Sequence, residues 1–248
     1  MCLGLDPDPA ALSPEEAPEA EFTDVADRAA TAVYEHCAGL IEQAGPACVA
    51  VKPQLACFER LGAPGWRALD QVSMAARREG LLVVADGKRG DVPVTAKAYG
   101  QALVGETETP WGTVSGLGAD AFTANPLLGG DEIDVLVEAA ERAGAGIFVL
   151  VRTSNPGAAR LQDATLGDRP LHEELAALVN ERAARLSGEA GLSGMGAVVG
   201  ATAPQHLGRL RELMPDSVFL VPGIGAQGGK PEDLGPALPQ RRDRRRMP

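Results

Sequence analysis

Short apolar runs rich in β-branched residues alternate along this chain with longer stretches whose apolar residues recur every three or four positions. No other feature constrains the fold as strongly, because such alternation is the signature of parallel strands joined by crossover helices. The runs place strands at residues 2–5, 48–51, 81–85, 121–123, 146–151, 196–199 and 218–221. Helical periodicity covers 24–43, 66–79, 94–103, 132–142, 171–186 and 204–213. A Pro- and Glu-rich stretch at 7–18 and the segment 154–169 read as loops after the first and fifth strands.

Alternation of this kind fits a closed (β/α)8 TIM barrel or an open doubly wound sheet, and periodicity alone does not choose. The ends of the early strands favour the barrel. CLGL is followed by Asp6, CVAV by Lys52 and LLVVA by Asp86. In a barrel every strand ends on the same face, so these three side chains converge there. Seven strands are one short of eight, so the expected fold is a barrel with a missing or aberrant eighth strand. Its domain covers 1–234, and 235–248 reads as an Arg-rich disordered tail.

Composition narrows the function. A net charge of −11 disfavours nucleic acid as a partner, since neutralising phosphates needs a basic face. No run approaches the roughly 18 apolar residues of a membrane span, and no leader pattern precedes the first strand, so a cytoplasmic protein is expected. Cys2, Cys37, Cys48 and Cys57 form no Cys-x-x-Cys pair and read as reduced thiols. His36, His172 and His206 show no ligand spacing, so ordinary packing or surface roles are expected and no metal.

The most informative segment is VVADGKRGDV, residues 83–92. Asp86 and Lys88 are two apart at a strand end, which points both side chains to one side. Asp91 follows a glycine-containing turn, and Lys52 can complete an alternating Lys-Asp-Lys-Asp array in which opposite charges hold one another ionised. Such a pattern can also be a plain surface salt-bridge loop. Its position after a strongly apolar strand argues for the array.

LGLDP at 3–7, VKPQLACFE at 51–59, ADGKRGDV at 85–92, TANPLLGGD at 123–131, VRTSNPGA at 151–158, VVGATAP at 198–204 and VPGIGAQGG at 221–229 occur in that order. In these motifs the chain resembles orotidine 5′-phosphate decarboxylase, in the bacterial branch that carries SNPG and an extended first loop. The resemblance implies a cofactor-free carbon-carbon lyase that makes UMP in pyrimidine biosynthesis. Lys52, Asp86 and Lys88 would line its active site, with Asp91 and Thr95 reaching into the neighbouring subunit of a homodimer. Asp6 would hold a ribose hydroxyl and Ser154 the pyrimidine ring, while Gln227, Gly228 and nearby amides would grip the 5′-phosphate. Taken without the resemblance, Ser154 and Asn155 read equally as a turn, and Thr95 as a helix cap or packing residue.

Residues 223–228 satisfy G-x-G-x-x-G, but no strand ending in an acid follows, so a phosphate loop after the seventh strand is the better reading than a dinucleotide fold. The family's eighth strand, with its phosphate-pairing arginine, has no counterpart in KPEDLGPALPQRRDRRRMP. A truncated or frameshifted reading frame is expected there, and at the other end Met1 stands one residue before the first strand, where the resemblance implies a preceding helix. Two other functions stay open: an impaired nucleotide-binding relative, and a phosphate-sugar barrel lyase using Lys52 or Lys88 as a Schiff base.

Overall fold

The computed structural model describes residues 1–17, 24–224 and 228–239. It divides into two compact units. The first comprises Met1–Arg89, Lys97–Thr123 and Arg142–Ala145; the second comprises Gly90–Ala96, Ala124–Glu141 and Gly146–Pro248.

In the first unit, β1 (Cys2–Leu5) leads through two 3-10 turns to helix α1 (Val25–Ala44). Asp24 caps α1 by accepting the N–H groups of Ala26 and Asp27, satisfying two of the donors a helix start leaves unpaired. Val33, Cys37 and Ile41 repeat every four residues and are buried on one face. Strand β2 (Ala50–Pro53) is followed by helices α2 (Leu55–Glu59) and α3 (Gly62–Arg78). The latter buries Leu69, Val72 and Ala76. Gly65 lets α3 pass α2, since a Cβ there would stand 1.9 Å from the Phe58 carbonyl oxygen. Next come β3 (Leu82–Arg89), most of α4 (Pro93–Leu103), the hairpin β4 (Glu106–Thr109) and β5 (Gly112–Ser115), and most of β6 (Ala121–Ala124). Strands β1, β2 and β3 pair in parallel, and β6 lies next to β3.

The second unit holds most of helix α5 (Gly130–Ala143), then β7 (Gly146–Arg152), α6 (Ala158–Gln162), the short hairpin β8 (Thr165–Leu166) and β9 (Arg169–Pro170), α7 (Leu171–Arg182), β10 (Ser193–Val199), α8 (Leu207–Leu213) and β11 (Ser217–Leu220). Strand β10 pairs in parallel with both β7 and β11. Ile147, Val149 and Val151 alternate into the core from β7, as do Met195, Ala197 and Val199 from β10. Ile133, Leu136, Val137 and Ala140 form the buried stripe of α5. Each buried Val, Leu, Ile or Met among these contributes on the order of 1.5–3 kcal/mol.

All seven expected strands occur, and no eighth strand continues the series among the described residues. Their limits move in one informative way. Strand β2 runs two residues beyond the expected end and takes in Lys52, while β3 continues four residues beyond Ala85 through Asp86 and Lys88. Tertiary pairing causes this extension, because Gln54 bridges to Asp86 and the Lys88 N–H bonds to Thr123. Helix α7 stops at Arg182 and passes into a 3-10 turn, Ala183–Leu186, where one helix to 186 was expected. Helix α2 and the hairpin β4–β5 were not anticipated. Five residues carry no period, and ETETPWGTVS has no apolar alternation because the strands are almost wholly exposed. The loop expected at 154–169 contains α6 and a two-residue hairpin.

The boundary expected at residue 234 falls within a 3-10 segment, Pro231–Ala237. The buried Arg211 donates to the carbonyls of Ala237, Met214 and Ser217, tying that segment to the end of α8 and to β11. The arginines at 241–246 lie outside the described residues. All four cysteines are free thiols, and burial pushes Cys37 up to about 12. Among the described residues, no helix is long and apolar enough to cross a membrane.

Candidate active site

Register assembles the charged cluster of the first unit. Ala50 and Val51 of β2 stand opposite Leu82 and Val83 of β3, and the same offset sets Gln54 beside Asp86. Period two then sends Lys52, Gln54, Asp86 and Lys88 to one face. The Lys52 Nζ lies 2.7 Å from Asp86 Oδ2, and the Lys88 Nζ lies 2.6 Å from Oδ1. Gln54 Nε2 donates to Oδ2 at 3.3 Å and Thr123 Oγ1 to Oδ1 at 2.9 Å. The Asp86 carboxylate thus accepts two hydrogen bonds on each oxygen.

Asp86 is 4% exposed. Burial pushes its carboxyl up, but the Lys52 ammonium and the hydrogen bonds from Lys52 and Lys88 outweigh that and hold it below the usual carboxylate range. The side chain of Lys52 is 17% exposed and that of Lys88 is 42% exposed, so Lys88 presents the more accessible ammonium. Lys88 has φ +46°, a left-handed conformation that no other non-glycine residue adopts among the described residues. Such a conformation is uncommon for a side-chain-bearing residue and persists where its surroundings enforce it. Asp6 immediately follows Leu5, whose carbonyl accepts the Gln54 N–H, so it stands at the same strand-end edge and is exposed.

The remaining expected residues belong to the second unit. The Asp91 N–H donates to Glu132 Oε1 at 3.0 Å, and its carboxylate accepts the Val92 N–H at 2.7 Å. Gly90 just before it leaves no room for a side chain, since a Cβ would stand 2.6 Å from the Asn125 carbonyl oxygen. Glu132 is fully buried; burial pushes its carboxyl up, against the pull of the Asp91 and Leu128 N–H groups. Thr95 is exposed in the first turn of α4.

Ser154 is half-buried, and its carbonyl accepts the Thr202 hydroxyl at 2.9 Å. Gly200 passes directly beneath it: a Cβ there would lie 2.7 Å from both N and Cα of Ser154. The turn read at Ser154 and Asn155 is present as well, with the Ala158 N–H on the Asn155 carbonyl. In the glycine-rich loop, Gly228 takes φ +91° and the Gly229 N–H donates to the Gly223 carbonyl at 2.9 Å. Gln227 lies outside the described residues.

Sequence reasoning assigned no role to several supporting residues. Gln54 and Thr123 sit inside quoted motifs, and only strand pairing reveals that they serve Asp86. Arg152, at the end of β7, grips Asp163 with Nε and Nη2 at 2.8 and 3.1 Å. His172, 3% exposed, places Nδ1 within 3.1 Å of the same carboxylate and stacks at a tilt on His206. Hydrogen bonding from Arg152 holds Asp163 below the usual carboxylate range, while burial and then the neighbouring His172 push His206 down. Together with Gln162, which accepts the Thr153 N–H, this cluster anchors both ends of the Ser154 loop. Two of the three histidines therefore pack, as expected, but around a charged anchor that their spacing does not disclose.

Parallel strands carrying ionisable residues at their C-terminal ends, with glycine-rich loops after the later strands, define a (β/α)8-barrel enzyme with seven strands among the described residues. Comparison with known proteins specifies which. Residues 1–246 match the family described as Orotidine 5′-phosphate decarboxylase / HUMPS, and the chain belongs to it. It is 42% identical over 241 residues to an orotidine 5′-phosphate decarboxylase of Rhodopirellula baltica, covering 96% of this chain and 77% of the relative. A decarboxylase of the same name from Deinococcus radiodurans is 41% identical over 238 residues, with the same coverage. Among solved structures, Leishmania donovani OMP decarboxylase superposes with a TM-score of 0.65 at 38% identity, covering 90% of this chain and 74% of that one. Leishmania donovani UMP synthase gives a TM-score of 0.70 at 38% identity over 94% of this chain, which spans only 44% of that longer protein.

Proposed function

We infer that this chain catalyses the decarboxylation of orotidine 5′-phosphate to UMP and carbon dioxide, a carbon-carbon lyase reaction of pyrimidine biosynthesis. The observation that carries the reading is the Lys52–Asp86–Lys88 cluster, held on one strand-end face in a chain of this family. In the reaction the bond from C6 of the pyrimidine to the carboxylate breaks, and its electron pair remains on C6. A proton from Lys88 then forms the new C6–H bond, and the amine recovers its proton from solvent. A fixed ammonium both opposes the developing negative charge and supplies the proton, which general acid catalysis and electrostatic stabilisation require of one group here. Asp86 aims both lysines and, being anionic, opposes the substrate carboxylate until carbon dioxide leaves. A Schiff-base mechanism fits less well, because both amines share the same carboxylate and an ion-paired ammonium is a poor nucleophile.

For substrate binding we assign Asp6 to a ribose hydroxyl, Ser154 to the pyrimidine ring, and Gln227 with the Gly228 loop to the phosphate. Remote phosphate contacts support turnover as well as affinity, since their binding energy holds the reacting end in place. We further propose a cytoplasmic homodimer in which Asp91 and Thr95 enter the partner's site. Supporting this, Val92 and Val94, which lie between them in the chain, are 55% and 87% exposed, and exposed apolar residues beside polar ones suit an interface.

The test is the fall in orotidine 5′-phosphate absorbance on adding purified protein, with Lys88→Ala alongside. Wild-type turnover is expected, with a loss on the order of 10⁴-fold or more in the variant, since one group provides both charge and proton. A folded wild-type protein that binds UMP but does not turn over would be an impaired nucleotide-binding relative.

A further inference from the structure

We propose that Thr123 is a positioning residue for this reaction, its hydroxyl locking the Asp86 carboxylate to the backbone of Lys88. The inference rests on the decarboxylase reading above and goes beyond it. The Lys88 N–H donates to Thr123 Oγ1 at 2.8 Å, so the hydroxyl oxygen is the acceptor in that bond. Its single proton is then committed to Asp86 Oδ1, 2.9 Å away, because an ionised carboxylate can only accept. One side chain therefore fixes two things at once: the backbone of the proton donor and the orientation of the carboxylate that aims it.

Three further features make the lock rigid. Thr123 is 1% exposed, so water does not compete for either bond. It is β-branched, and burial within β6 restricts its χ1 rotation. Lys88 is held at φ +46°, a conformation its own side chain disfavours, and the bond to Thr123 opposes relaxation of that strain. With Lys88 and Thr123 on Oδ1, and Lys52 and Gln54 on Oδ2, the carboxylate cannot rotate without breaking bonds on both oxygens.

Thr123→Val keeps the shape and removes the hydroxyl; Thr123→Ser keeps the hydroxyl. A shift of about an ångström in a reacting group lowers turnover by about 100-fold, so Thr123→Val is expected to lower kcat by about 10- to 100-fold. KM for orotidine 5′-phosphate and the affinity for UMP should stay within about threefold of wild type, since neither bond of the hydroxyl goes to ligand. Thr123→Ser should recover most of the lost kcat. Thr123→Ala, which introduces no new volume, serves as the hydroxyl-free variant if the valine protein does not fold. Unchanged kcat in the folded hydroxyl-free variant overturns the proposal, as does a serine variant no better than it, or equal losses in kcat and UMP affinity. A wild-type chain without turnover sinks the decarboxylase reading itself, and this inference with it, whereas an active wild type matched by Thr123→Val sinks this inference alone.

Discussion

Asp86 concentrates most of the chemistry of the first unit in one carboxylate, and its environment makes a prediction that does not depend on substrate. Burial disfavours its charge while Lys52 and Lys88 favour it, and the net result is a carboxyl held below its ordinary value. A group depressed in the folded state contributes stability above its unfolded pKa, and that contribution disappears as pH falls through the folded value. The difference in urea midpoint between wild type and Asp86→Asn should therefore be constant near neutrality. It should change on the acid side, with wild type losing stability faster than the variant as pH falls below about 4, the ordinary carboxylate value. Parallel acid limbs for the two proteins would show that the ion pairs contribute nothing to folding.

Elements are placed by what glycine permits and by where ion pairs fasten them. The loop after β7 is anchored at its ends by the Arg152–Asp163–His172 cluster, and its Ser154 backbone rests against Gly200 after β10. A methyl group at 200 would overlap backbone atoms of Ser154, which cannot move aside as a flexible side chain could. Gly200→Ala should therefore destabilise the protein by about 1–3 kcal/mol, the cost of overpacking, read as a lower denaturant midpoint with unchanged slope. Gly144→Ala is a useful contrast, because nothing lies within 4 Å of its Cβ position and only its φ of +67° opposes the substitution. If both cost the same, the close approach to Ser154 is not what requires glycine at 200.

At the scale of the whole molecule, the proposed dimer makes the active site a shared property of two chains, and mixing variants tests it. Lys88→Ala and Asp91→Asn homodimers should each be nearly inactive. If Asp91 serves the partner's site, each hybrid dimer contains one wild-type site and one doubly altered site. Random exchange makes half of the dimers hybrids, so about a quarter of wild-type activity should return in the mixture. No recovery after demonstrated subunit exchange would place Asp91 in its own chain's site or in none. Recovery would explain why the exposed Val92 and Val94 follow it.

The amino-acid sequence by itself determined the alternation of strands and helices, the charged residues at strand ends and the order of the motifs, because each is carried by local periodicity or by neighbouring residues. Cys2–Leu5 and the pair Asp86 and Lys88 were legible for that reason. The extension of β2 and β3, the service of Gln54 and Thr123 to Asp86, and the strained backbone of Lys88 were decided only in three dimensions. Thr123 is 37 residues from Asp86 in the chain, and His172 meets Asp163 across a hairpin with no apolar period. Hydrogen bonds and ion pairs between distant residues leave no periodic trace in a sequence, so the side chains that hold the reactive groups in place appear only when the strands are set side by side.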